Sequence, residues 1–171
     1  MRLKRVSFPF VISLLISSFP ANASTPSDQT KLTLIKTITG KITPKSVLAS
    51  NNGLVSAHNM MYSHSVTIYD AETMELKTTV SDNVELSKFG LSKFSGTYKG
   101  APVEGAYSPN GKYLYFTNYA MYGKGFNKEG HDTCSPASGF DTSYLSRINL
   151  ANNVIDAVYP VGSVPKVVKV T

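Results

Sequence analysis

The sequence predicts an all-β chain: a partial β-propeller of about two four-stranded antiparallel blades and the start of a third. Three observations predict it. Short runs of alternating apolar and polar residues are separated by turn residues. A proline and a turn glycine recur at the same spacing, Pro44 with Gly53 and Pro102 with Gly111. A further start, Val161-Gly162-Ser163-Val164-Pro165, follows the second unit.

The elements are taken in chain order. Residues 1–23 read as a cleavable secretory signal. Arg2, Lys4 and Arg5 precede an uncharged, mostly apolar run from Val6 to Phe19, and Ala21-Asn22-Ala23 supplies a small-residue cleavage site. The run is shorter than the roughly 20 residues a membrane span needs, and no later stretch is long and apolar enough to cross. Residues 24–37 form a polar leader and a first strand of the closing type, with Leu32 to Ile38 strand-like. The first blade is expected over about 38–80. Asn51-Asn52-Gly53 and Asp70-Ala71-Glu72-Thr73 are its turns, and Ser65 to Tyr69 alternates with the period of a half-buried strand. An insertion spans 81–101. The second blade spans about 102–161, with strands at Val103–Tyr107, Tyr113–Asn118, Tyr144–Ile148 and Val154–Val161. It carries an insertion over 119–142. Residues 162–171 begin a third blade. A small β-sandwich with two similar halves is the alternative; the repeated spacing and the third start favour repetition.

Composition narrows the function classes. Tyr, Val, Thr, Ser and Gly are prominent and Trp is absent, which suits strands. The whole chain carries 17 basic and 11 acidic residues. The signal removes three of the basic ones and no acidic one, so the +6 balance halves. That remainder is ordinary solubility and gives no argument for a polyanionic partner.

The segment Ser108-Pro109-Asn110-Gly111-Lys112-Tyr113-Leu114-Tyr115-Phe116-Thr117-Asn118, with Val161-Gly162-Ser163-Val164-Pro165 after it, resembles the YVTN β-propeller repeat of YncE-like exported proteins. Tyr115, Thr117 and Asn118 match three of the four residues that name the repeat, and Asn110 stands where aspartate is usual. Gly40, Pro44, Gly53, Pro102, Gly111, Asn118, Gly162 and Pro165 are the structural repeat positions. The resemblance covers about Ile38 to Thr171. It implies a bacterial periplasmic, secreted or cell-surface protein, and a seven-bladed parent of which this chain is a fragment. It implies no reaction. The expected role is a non-catalytic binding or scaffold module. The partner would be a protein or small-molecule ligand, or the remainder of the propeller. The competing expectation is a piece of a lactonase-like or quinoprotein-dehydrogenase-like enzyme, which would gather its polar ligands from several blades. A third is a surface protein that uses blades as spacers.

Two insertions hold the residues that chemistry would use. In 81–101, Leu86-Ser87-Lys88-Phe89 and Leu91-Ser92-Lys93-Phe94 place lysines beside aromatics. This is a sparse footprint for nucleic acid, which is not expected as a partner; a capping loop with its phenylalanines turned inward accounts for it. In 119–142, Lys128, Glu129, His131 and Asp132 are the ligand-contact candidates. His131, Asp132 and Cys134 are metal-ligand types but fall short of a settled zinc set, so no metal and no cofactor is predicted. A Cys134–His131 nucleophile pair would need the thiol near the imidazole and an orienting third group, a geometry that a spacing of three in a glycine-rich loop does not guarantee. Cys134, the only cysteine, has three readings: a free buried thiol, a bond to another chain, or a disulfide with a cysteine in a blade outside this chain, which suits an exported protein. No phosphate-binding glycine loop, nucleophile elbow or haem-attachment motif is present.

Overall fold

The computed structural model describes residues 34–60, 63–91, 97–119 and 142–171. Met1–Ile35 and Lys36–Thr171 are separate units. Of the first, only Leu34 and Ile35 are described, and both are exposed. The second unit holds all ten described strands.

Turn chemistry sets where its strands begin and end. β1 (Pro44–Ala49) and β2 (Leu54–Asn59) are joined through Gly53, whose φ of 80° suits glycine. Ser50 Oγ accepts from the Leu54 amide at 2.8 Å and closes that turn. β3 (Ser65–Asp70) and β4 (Leu76–Ser81) are joined by an Asp turn. Asp70 Oδ1 accepts from the amides of Glu72 and Thr73, both at 3.0 Å. These strands make an antiparallel sheet in sequence order. β5 (Val84–Glu85) and β6 (Thr97–Tyr98) form a small ribbon, with a single 3-10 turn over Leu86–Phe89. β7 (Pro102–Tyr107), β8 (Tyr113–Asn118), β9 (Ser143–Asn149) and β10 (Val154–Val161) make the second four-stranded meander. Its first turn is closed by Asn110, whose Oδ1 accepts from the Lys112 amide at 3.0 Å. Asparagine therefore does the work of the usual aspartate there.

The chain is thus all-β, with two four-stranded antiparallel blades in a partial propeller-like arrangement. Gly162–Thr171 follows the second blade and forms no strand. Residues 34–43, expected to include a strand, form none either. Residues 36–42 lie against side chains of β3 and β4 of the first sheet. Lys36 Nζ is anchored on the Thr73 carbonyl at 3.1 Å. A groove of about 730 Å³ runs between this segment and Ser65, Thr67, Tyr69 and Thr79.

The core lies between the sheets. Val66, Ile68 and Val80 of the first pack on Leu114, Phe116 and Ile148 of the second. Burying each such side chain contributes about 1.5–3 kcal/mol. The 81–101 insertion continues this layer: Val84, Leu86 and Tyr98 cover Tyr144 and Val158 of the second sheet, and Phe89 packs against them.

The two sheets share one internal register. Pro44 opposes Asn59 and Pro102 opposes Asn118. Counting along the strands from these pairs equates Ser56 with Tyr115, His58 with Thr117, Val66 with Leu145 and Ile68 with Arg147. Val66 and Ile68 face the second sheet, as does the His58 ring. Their counterparts occupy the side of the second sheet that points away from the first. The stacking is therefore head-to-tail, the sense in which repeats propagate.

Candidate functional site

The described part of the molecule concentrates its unusual polar chemistry where the sheets join. Two glycines allow that approach. A Cβ on Gly105 would lie 2.3 Å from His58 Cε1 and 2.8 Å from the Tyr115 carbonyl oxygen. A Cβ on Gly100 would lie 2.4 Å from Asn118 Oδ1 and 2.7 Å from the Tyr119 carbonyl oxygen. Neither position tolerates a side chain without movement of backbone or buried neighbours.

His58 fills the space above Gly105. It is fully buried, with its ring 6.4 Å from that of Phe116. Ser46 Oγ donates to the Val103 carbonyl, so it is free to accept from His58 Nδ1–H at 2.9 Å. Ser56 Oγ lies 3.4 Å from Nε2, which leaves that nitrogen as the acceptor. Burial lowers the His58 pKa to about 4, and the Val103 carbonyl works in the opposite direction. The ring is therefore neutral at physiological pH. It resembles a Ser–His pair but has no route to solvent, and it serves as packing between sheets.

Asp82 sits at the other end of the junction, also fully buried. Oδ2 accepts from the Gly100 amide at 2.9 Å, and the Asp82 amide donates to the His64 carbonyl at 3.2 Å. His64 Nδ1 in turn bonds the Gly100 carbonyl. These three bonds close a ring that ties the β2–β3 connection, the end of β4 and the entry to the second sheet. His64 holds a left-handed φ of 44°, a strained conformation for this residue that the ring maintains. Asp82 Oδ1 has no hydrogen-bond partner, and neither carboxamide atom of Asn118 has one of good geometry. Burial raises the Asp82 pKa to about 7. The Gly100 amide, the neighbouring Asn118 carboxamide and Lys99 oppose the rise. Burial also pushes the nearby Tyr98 phenol up.

Asn59, the counterpart of Asn118, is fully used. Its Oδ1 accepts from the Thr43 amide at 3.0 Å, and its Nδ2 donates to Thr67 Oγ1 at 3.2 Å and to the Ala57 carbonyl at 3.3 Å.

Pro44 and Pro102 open β1 and β7, Gly53 and Gly111 lie in turns, Asn118 ends β8, Gly162 and Pro165 follow β10, and Gly40 precedes β1 with φ 129°. The turns that hold Gly53 and Gly111 meet: Asn52 Nδ2 donates to the Gly111 carbonyl at 3.2 Å. The ligand-loop candidates Lys128, Glu129, His131 and Asp132, and Cys134 with them, lie outside the described residues. The ends of their loop do not. Tyr119 and Ala101 exchange backbone bonds of 2.8 and 3.1 Å, and Ser143 opens β9. The loop therefore leaves from the sheet end that carries Asn118 and Pro102. In the first insertion, Lys88 pairs with Glu85 at 2.9 Å. Among the described residues no group of three His, Cys, Asp or Glu side chains could hold a metal ion. None of their helices is long and apolar enough to cross a membrane.

Sequence reasoning missed the roles of His58, His64, Asp82 and Gly105. One local signal existed: a glycine inside a strand, as Gly105 is, marks close approach by another group.

No protein-family model matches the chain. No curated protein matches it either. Among solved structures it is similar to hydrazine synthase of Kuenenia stuttgartiensis, with a TM-score of 0.45 and 11% identity, over 70% of this chain and 25% of that one.

Proposed function

We propose that the chain is part of an exported β-propeller of the YVTN, YncE-like type and acts as a non-catalytic binding or scaffold module. The observation that carries this reading is the head-to-tail stacking of two sheets with one shared register, reinforced by the use of buried polar groups. His58 and Asp82 would be the natural acid–base residues, yet both are sealed between sheets and hold them together. That leaves the 119–142 loop as the contact element. It would project from the Asn118 end with Lys128, Glu129, His131 and Asp132, groups suited to a polar ligand or protein surface. Export follows from residues 1–23, and the mature chain starts at Ser24.

The compartment is tested by fractionating a bacterial host that expresses the full chain and measuring the intact mass of the product. A periplasmic or secreted protein beginning at Ser24 is expected; a cytoplasmic product that keeps Met1–Ala23 overturns the export claim. The non-catalytic claim is tested on the same protein with a panel of lactones and with dye-coupled oxidation of alcohols and aldehydes. No turnover is expected. Turnover that disappears in H131A/D132A would overturn it and favour the enzyme reading.

A further inference from the structure

The sequence holds two Asn-Gly steps, Asn52-Gly53 and Asn110-Gly111, each in the first turn of its four-stranded sheet. A glycine after asparagine carries no side chain to shield its own amide, so that nitrogen can approach the asparagine carboxamide. Both asparagines are exposed, and both glycines hold a positive φ, 80° for Gly53 and 68° for Gly111. The two steps differ in what holds the reacting groups. At the second, both are tied. The Gly111 amide donates to the Ser108 carbonyl at 2.9 Å, and Asn110 Oδ1 accepts from Ser108 Oγ at 2.7 Å and from the Lys112 amide at 3.0 Å. Attack there needs the glycine nitrogen released and the carboxamide turned, at the cost of these three bonds. At the first, the Gly53 amide makes no hydrogen bond of good geometry, and neither does Asn52 Oδ1. The Asn52 side chain is fixed by its Nδ2 bond to the Gly111 carbonyl, 3.2 Å long and exposed. The space is open as well: a Cβ on Gly53 would meet nothing within 4 Å, and Asn52 lines a cleft of about 560 Å³ with Lys112, Asn149 and Leu150.

We propose that Asn52 is a site of spontaneous deamidation in the folded protein, and that its own turn protects Asn110 from the same reaction. The Gly53 nitrogen bonds to Asn52 Cγ, the Cγ–Nδ2 bond breaks, and Nδ2 leaves as ammonia with the Gly53 amide proton. Water then opens the cyclic imide at either carbonyl and leaves aspartate or isoaspartate. The carboxamide that donated to Gly111 becomes a carboxylate, which only accepts. The bond between the first turns of the two sheets is therefore lost, and the isoaspartate product also lengthens the main chain between β1 and β2 by a methylene group. The modification loosens the turn end of the sheet junction, at the opposite end of β2 and β8 from Asn59 and Asn118.

The test ages the purified protein in warm, mildly alkaline buffer and follows the peptides that carry the two Asn-Gly steps by mass spectrometry. Conversion of Asn52 to aspartate and isoaspartate is expected to run about tenfold faster than conversion of Asn110, because only the first pair of reacting groups is free to meet. A parallel sample in concentrated urea removes the bonds that hold Asn110 and Gly111. There the two rates are expected to agree within about a factor of two. Conversion at Asn52 no faster than at Asn110 in the folded protein overturns the proposal. A preference for Asn52 that persists undiminished in urea overturns it too, since the fold would then have no part in the choice.

Discussion

The two ends of the sheet junction solve one problem in opposite ways. At Gly105 the intruding group is His58, neutral, with a hydroxyl within reach of each ring nitrogen. At Gly100 it is the pair Asp82 and Asn118, equally buried but only partly satisfied. A buried polar group that finds its partners stabilises one packing, whereas one that does not carries a standing desolvation cost. The first end therefore reads as a lock, and the second as the weaker seam of the same interface.

The largest expected effects come from filling the glycine positions. Gly105→Ala should destabilise the protein by more than about 3 kcal/mol in urea unfolding, because both the His58 ring and a strand carbonyl stand in the way. In a double-mutant cycle, His58→Ala should recover part of that loss. Gly100→Ala also meets a backbone carbonyl, that of Tyr119, but should cost less, because the Asn118 side chain it meets first is poorly bonded and gives way where the bonded His58 ring does not. Equal costs would erase the distinction between lock and seam.

Titration gives a sharper contrast. Asp82 has a folded pKa of about 7 against 3.8 for the free group. The folded state holds the proton more tightly, so stability is fullest below pH 3.8 and is lost as pH rises toward 7. His58 has a folded pKa of about 4 against 6.5. Its share is present above pH 6.5 and is lost as pH falls toward 4. Each slope is about 1.4 kcal/mol per pH unit, so between pH 4 and 6.5 they cancel. Asp82→Asn should leave a protein that weakens toward acid, and His58→Gln one that weakens toward neutral pH. Urea midpoints measured from pH 4 to 8 decide it; slopes of the same sign in the two variants would break the scheme.

The asparagines give a smaller difference. Asn59→Ala removes bonds to Thr43, Thr67 and Ala57 and should cost about 2–3 kcal/mol. Asn118→Ala removes a buried carboxamide with no well-formed bond and should cost under about 1 kcal/mol, read from the same unfolding curves. At the lower limit, Lys88→Ala breaks only an exposed pair with Glu85 and should leave the melting temperature unchanged.

Much of the fold was legible because its causes are local. Gly53 and Gly111 adopt the positive φ their turns require, and Asp70 and Asn110 cap turns with their own side chains. Alternation over Ser65–Tyr69 and Tyr113–Asn118 reports the apolar face each strand turns to the other sheet, Val66 and Ile68 against Leu114 and Phe116, although the opposite face of Ser65–Tyr69 is buried too. The strand expected over Leu32–Ile38 is absent in its described part, because alternation shows only that a segment can pair and the pairing partner is set by the rest of the fold. The junction was illegible for the same reason. His58 meets Gly105, and His64 meets Gly100, across separations that no sequence window spans.

The sequence by itself determined the strands, the turns and their repetition, since each depends on backbone preference and side-chain period within a few residues. Only the tertiary structure decided which side of each sheet is covered. It also sealed His58 and Asp82 away from solvent and turned a glycine into the floor of a histidine pocket. Burial and close approach are properties of two surfaces brought together, and neither surface carries a mark of the other in its own run of residues.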